Sequence, residues 1–237
     1  MQGERIDGDE LTAMGLANDR AWGVVVDGNV LSAKREPMLL QGAAVLRDGQ
    51  PVITLPDGSE LVGTGEKTDA ALSGWLGRQV RLAAAVDEAA GYQMNVSAED
   101  DSSPIIDLPC PPGTYFDALP VHVLTTASLR AMTSRYSGGA WDVRRFRPTV
   151  LVEAAGDDFP EDAWIGQTVR VGAAALMVVA PTVRCVMTTR AQPGGLERDL
   201  DIVKAINHDH QSNLGVYAAV TQRGAVRVGD TVEVDGA

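Results

Sequence analysis

The chain has 237 residues, 45% hydrophobic and 22% charged, which gives a globular protein with a real core in one large domain or two small ones. A net charge of −12 argues against a general nucleic-acid binder, which needs a basic surface to displace counterions. No apolar run approaches the roughly 20 residues of a membrane span, and Met1-Gln2-Gly3-Glu4 does not open a basic-then-apolar signal. The expectation is a cytoplasmic protein with no nucleic-acid and no membrane partner.

In chain order, Trp22 to Val26 is apolar, Asp27-Gly28-Asn29 is turn material and Val30 to Ala33 resumes, which predicts a hairpin. Turns at Arg47 to Pro51 and Pro56 to Glu60 precede short strands at Val52 to Leu55 and Leu61-Val62. Short strands at such spacing predict a small antiparallel sheet or barrel. Thr68 to Leu76 reads as a helix with Thr68 or Asp69 as N-cap and Gly77 past its end. Val80 to Val86 returns to a strand. Residues 87 to 114 lose periodicity and read as a loop or crossing, with Cys110 a bystander in Pro109-Cys110-Pro111-Pro112-Gly113.

Beyond it, Val121 to Thr125 reads as a strand, and Thr126 or Thr125 can cap a helix over Ala127 to Met132. A strand is predicted from Arg147 to Val152, a turn at Trp164 to Gly166, and strands at Thr168 to Val171 and Ala173 to Val179. Asp199 to Asn207 reads as helix, Leu214 to Val220 as strand, and Gly224 to Val234 as a closing hairpin. His122 reads as a packing histidine, and His208 and His210 as solvated turn residues. Asp157-Asp158 and Glu161-Asp162 read as a solvated acidic loop. The fold class is mostly β (α+β) with a few short helices.

Two features carry chemistry. Arginine outnumbers lysine 17 to 3, either as a codon-usage effect or, locally, as planar forks suited to oxyanions. With only Cys110 and Cys185, no disulfide framework and no structural zinc spacing is available. Cys185 stands between Arg184 and Thr188-Thr189. Taken alone, a lone cysteine is more often a buried structural residue than a ligand. The threonines would position the loop behind it or line a substrate pocket.

Several stretches, in order, resemble MOSC-domain proteins, the family named from the C-terminal domain of molybdenum cofactor sulfurases. Gly15 to Trp22 and Ser32-Ala33-Lys34-Arg35 are similar to its N-terminal β-barrel domain. Thr125 to Leu129, Arg145-Phe146-Arg147-Pro148, Asp162 to Gly166, Arg184 to Thr189, Leu214 to Tyr217 and Val226 to Val232 are similar to the MOSC domain itself. The resemblance implies an N-terminal β-barrel-like domain over 1–90, then a MOSC β-barrel domain over 91–237.

In the branch that includes the amidoxime-reducing enzymes, the resemblance implies a molybdenum cofactor (Mo-molybdopterin) with Cys185 as metal ligand and catalytic centre. Arg20, Thr126, Ser128, Arg147, Thr149 and Arg184 are implied around the pterin and its phosphate. A thiolate is a soft ligand suited to such a metal, and arginines and helix-start donors suit the phosphate. Each residue has a plainer use: Arg20 and Arg147 can pair with Asp19 or Asp142, and Thr126 and Ser128 can cap a helix.

Two departures stand out. A strand ending in Pro-Val-Lys-Ser, expected ahead of Met1, is absent, so the N-terminal barrel is expected to lack its first strand. Thr149 stands where asparagine commonly follows Arg-Pro. No ferredoxin-like domain follows, so electrons are expected from a separate flavoprotein or iron–sulfur protein. The implied activity is reduction of a small N-hydroxylated or N-oxide substrate. At family level alone, an association with pyridoxal phosphate also exists. The alternatives are a sulfur carrier with a persulfide on Cys185, and a non-catalytic cofactor carrier.

Overall fold

The computed structural model describes residues 1–86, 90–96, 103–116 and 118–235. They fall into two compact units: Met1–Glu4, Arg20–Asp117 and Arg190–Glu197 in the first, and Arg5–Asp19, Ala118–Thr189 and Arg198–Ala237 in the second. The chain enters the second unit with β1 (Gly8–Thr12) and β2 (Gly15–Leu16), then crosses to the first.

In the first unit, β3 (Trp22–Val26) and β4 (Asn29–Val30) form the predicted hairpin around Asp27-Gly28. β5 (Ala43–Arg47), β6 (Gln50–Thr54) and β7 (Glu60–Val62) form a three-stranded meander. Helix α1 (Glu66–Leu76) buries Thr68, Leu72 and Leu76. Leu72 and Leu76 join a core with Val24, Leu39, Ile53, Leu61, Val80 and Leu82. Its end is as expected: Gly77 sits at φ 68°, a left-handed cap that side chains resist. Its start is not. The N-cap is Gly65, because the side chains of both predicted caps are used elsewhere: Thr68 donates to Gly63 O at 3.0 Å and Asp69 accepts from Leu82 N–H at 2.8 Å.

Strand β8 (Arg81–Ala84) pairs with β3, and β9 (Gly91–Asn95) pairs with β4 and with β10 (Ile105–Pro109). The aperiodic stretch thus contains a hairpin, which corrects the loop expectation. Ile105, Ile106 and Asp107 are all exposed, so the alternation that marks a half-buried strand never appears in sequence. Residues 87–89 and 97–102 of that stretch lie outside the described residues. Cys110 packs against the small cluster of Val25, Ala83 and Tyr115.

The second unit is built on a six-stranded sheet. β11 (Val121–Thr125) is buried at every position, as a strand covered on both faces must be. α2 (Thr126–Arg135) is the crossover that lets β12 (Val150–Val152) run parallel to it. β13 (Thr168–Val171), β14 (Ala174–Val183), α3 (Asp201–His210), β15 (Asn213–Gln222), β16 (Gly224–Arg227) and β17 (Val232–Val234) complete the unit. The sheet order is β12-β11-β15-β14-β13-β17. One cluster, with Val121, Val123, Leu176, Val178 and Val216, lies within this unit; Leu124, Met132, Phe146, Ile202, Ile206 and Leu214 form a second against the helices.

The closing hairpin is a correction. β16 pairs with β1, and β17 pairs with β13, so the turn at Gly229 joins two different sheets. The mostly β, α+β class holds, with three α-helices among the described residues. No helix among them is long and apolar enough to cross a membrane.

Candidate functional site

β14 is the longest strand of its sheet together with β15, and the pair is irregular. Its register slips between Ala175 and Leu176, between Val178 and Ala180, and between Pro181 and Val183. Pro181 has no N–H for the ladder, and bulges bend a strand and re-aim the residues beyond its end. Beyond the end of β14 stand Arg184 and Cys185.

Arg184 is buried and held at both ends. Its backbone N–H donates to Ser212 O at 2.7 Å and its Nη2 to Phe146 O at 2.8 Å. The guanidinium lies 5.4 Å from the centre of the Phe146 ring, within cation–π range. Its Nη1 stands 3.4 Å from His122 Nε2. Arginine has no acceptor, so a hydrogen bond in that contact is one the histidine nitrogen accepts.

Cys185 is half-buried and not in a disulfide. Its carbonyl accepts from Thr188 N–H at 3.0 Å and Thr188 Oγ1 at 2.9 Å, which closes a short 3-10 turn over Val186–Thr189. Thr189 Oγ1 adds a bond to Val186 O at 2.7 Å. The threonines therefore shape the loop.

A second buried arginine answers the first. Arg145, 1% exposed, donates from Nε to Ala140 O at 2.9 Å and from Nη1 to Thr188 O at 3.1 Å. Burial pushes its guanidinium below its ordinary value, against the opposing pull of Asp199 and Asp142. Arg184 thus reaches from the cysteine segment to Phe146, while Arg145, beside Phe146, reaches to the cysteine loop. The two form a reciprocal brace across Arg145-Phe146-Arg147-Pro148 and Arg184 to Thr188. Sequence reading gave Arg145 no role, and only its place in the first of these segments could have signalled one.

The hydroxyls expected around a pterin are engaged by the protein. Thr125, one of the two predicted caps, is the N-cap of α2 and accepts from Ser128 N–H. Ser128, wholly buried, donates from Oγ to Glu161 Oε1 at 2.6 Å, and Thr125 Oγ1 donates to Glu161 Oε2 at 2.7 Å. Thr126 Oγ1 donates to Ala154 O at 3.2 Å and accepts from Ala154 N–H at 3.1 Å. Thr149 bonds main chain and side chain to His122: its N–H to His122 O at 2.8 Å, and His122 N–H to its Oγ1 at 3.2 Å.

Two expectations fail here. Glu161 is no part of a solvated acidic loop: it is 0% exposed and clamped by two hydroxyls. His210 lies inside α3, stacked on Phe159 at 3.6 Å, with its ring nitrogens 2.7 Å from Asp162 Oδ2 and Asn213 O. His122 packs in the strand as expected, yet it also joins Thr149 to Arg184.

Arg147 and Arg20 share an uncommon backbone. Each has φ 53°, in the left-handed region that costs a side-chain-bearing residue roughly 1–2 kcal/mol. In the second unit, Arg147 N–H is tied to Val143 O at 3.1 Å; in the first, Arg20 O accepts from Tyr115 N–H at 3.0 Å. Among the described residues no group of three or more His, Cys, Asp or Glu could hold a metal. A metal at Cys185 would therefore take one ligand from this loop and the rest from its own cofactor.

Four sheets and three α-helices among the described residues define a mostly β protein, and its second unit carries a free thiol on a doubly braced loop. Residues 113–233 match the MOSC domain, and residues 1–99 match the MOSC N-terminal beta barrel domain. The chain belongs to the MOSC family, with that family's N-terminal β-barrel domain ahead of its MOSC domain.

Among solved structures, the chain is similar to YiiM from Geobacillus stearothermophilus, with 15% identity and a TM-score of 0.39 over 62% of this chain and 71% of that one. It is also similar to the YUAD protein from Bacillus subtilis, with 15% identity and a TM-score of 0.42 over 60% and 74%. A comparison with curated proteins finds no match.

Proposed function

We propose that this protein binds the molybdenum cofactor and acts as an oxidoreductase on N-hydroxylated or N-oxide substrates, with electrons from a separate flavoprotein or iron–sulfur protein. The observation that carries this reading is the placement of Cys185: a free, half-buried thiol on a loop that two buried arginines and two threonines hold in one shape. A metal ligand gains from such fixing because the loop is ordered before the metal arrives. The left-handed backbones of Arg20 and Arg147 support the reading too, since strained residues concentrate at functional sites.

The residues fit the cofactor in part. Cys185 supplies the soft ligand, and Arg147, in the same unit, would hold the phosphate through charge-assisted hydrogen bonds. Arg184 orients the cysteine segment through Phe146 and Ser212. Thr126, Ser128 and Thr149 use their hydroxyls to hold the surrounding backbone and Glu161, so their part is to shape the loops. When bound, the cofactor supplies the electron chemistry, and the protein supplies orientation and access.

The test is reduction of benzamidoxime by the full chain, purified from a host that makes the cofactor, with a chemical electron donor. Turnover that is abolished in Cys185→Ser supports the reading. A molybdenum-loaded protein that leaves such substrates untouched would contradict the oxidoreductase assignment and favour a carrier. The same free, half-buried thiol also suits a second reading, a sulfur carrier with a persulfide on Cys185. A cyanide-releasable sulfur on Cys185 without molybdenum would select it.

A further inference from the structure

A second polar site lies in the first unit, on the turn Ser32-Ala33-Lys34-Arg35. Arg35 N–H donates to Ser32 O at 3.0 Å and Glu36 N–H to the same oxygen at 2.9 Å, so the turn is fixed. Arg35 Nε and Nη2 are buried with no hydrogen-bond partner, and so is Ser32 Oγ. The adjacent carboxylate does not neutralise them: Glu36 Oε1 accepts from Met38 N–H and Oε2 from Arg78, each at 3.3 Å. A third cation meets the same turn, since Arg190 Nη2 donates to Lys34 O at 3.2 Å.

Buried polar atoms are nearly always paired, and a buried charge left without a partner is costly. Nε and Nη2 are moreover the parallel edge with which a guanidinium takes two oxygens of one anion. We propose that Ser32 and Arg35, with Arg190 and Lys34 adding charge, form an oxyanion site. Its ligand is a phosphate- or sulfate-class group: two oxygens on the Nε–Nη2 edge of Arg35 and a third accepting from the Ser32 hydroxyl. The site uses none of the residues assigned to the pterin and does not rest on the molybdenum reading.

The test is thermal unfolding of the full chain in phosphate, sulfate or acetate, each against chloride of equal ionic strength. Phosphate and sulfate should raise the melting temperature of the wild type. Arg35→Gln and Arg35→Lys should lose most of that rise, because glutamine lacks the charge and lysine lacks the two-donor edge, and Ser32→Ala should lose part of it. Arg47→Gln, whose arginine is exposed and already paired with Glu60, should keep it. Without added oxyanion, Arg35→Gln should melt no lower than the wild type. The proposal is overturned if phosphate gives no rise beyond chloride, if Arg35→Lys keeps the full rise, or if acetate outdoes phosphate. A drop of several degrees in Arg35→Gln without oxyanion would also overturn it, because the guanidinium would then be satisfied within the protein.

Discussion

Arg145→Met is the sharpest perturbation of the braced cysteine loop. Methionine keeps most of the length and apolar volume of the buried side chain but removes the donors to Ala140 O and Thr188 O. The carbonyl of Thr188, a buried residue, then loses a partner at about 1–3 kcal/mol, while that of Ala140, an exposed residue, can turn to water. Relief of a guanidinium that burial already disfavours returns part of that. The net loss expected is about 1–3 kcal/mol, and Arg145→Ala, which adds a cavity, should lose about 2–4 kcal/mol. Urea denaturation followed by circular dichroism measures both. In a Cys110→Ser background, the rate at which an aromatic disulfide reagent modifies Cys185 should also rise, because Thr188 is no longer tied down. Stability within about 0.5 kcal/mol of wild type, together with an unchanged thiol rate, would refute the brace.

Other outcomes rest on the same geometry. Gly215 sits at φ 80°, and a Cβ there would stand 2.4 Å from His122 Nε2 and 2.7 Å from Val123 O, so Gly215→Ala should cost about 2–4 kcal/mol in thermal or urea unfolding; a neutral variant would show that β15 can shift. Ser128→Ala removes a donor from the wholly buried Glu161 and should cost about 1–3 kcal/mol, partly rescued by Glu161→Gln in the same chain; no loss would mean that Glu161 finds another donor. The Arg144 side chain, by hydrogen bonding, holds the Asp142 carboxyl below the usual carboxylate range. Its stabilisation is present above the unfolded-state value of about 3.9 and fades as pH falls through the lower folded-state value. Asp142→Asn should therefore cost up to about 1 kcal/mol at pH 7, given the pair's partial exposure, and nothing in strong acid; a difference that persists at pH 2 would contradict this.

The strands with clear punctuation were legible in sequence. Val121 to Thr125 matches β11 end to end, and Asp27-Gly28 marks the β3–β4 turn. What was hidden depended on partners far away in the chain. Nothing local tells that Asp69 is taken by Leu82, that β16 leaves its neighbour for β1, or that Glu161 turns inward to Thr125 and Ser128. Cys185 was singled out by its motif; the arginine that braces its loop lay in another motif, 43 residues away as measured from Arg145 to Thr188. The hydroxyls of Thr126 and Thr149 bond main chain, and that of Ser128 bonds the Glu161 carboxylate, partners that no local pattern shows.

The central claim is that Cys185 ligates the metal of a bound molybdenum cofactor. Metal analysis and pterin fluorescence on protein from a cofactor-producing host measure it directly. The account predicts molybdenum and pterin stoichiometric with the chain in the wild type, and molybdenum lost in Cys185→Ser with the fold intact by circular dichroism. Wild-type protein free of molybdenum, or a Cys185→Ser variant that carries it equally well, would contradict it.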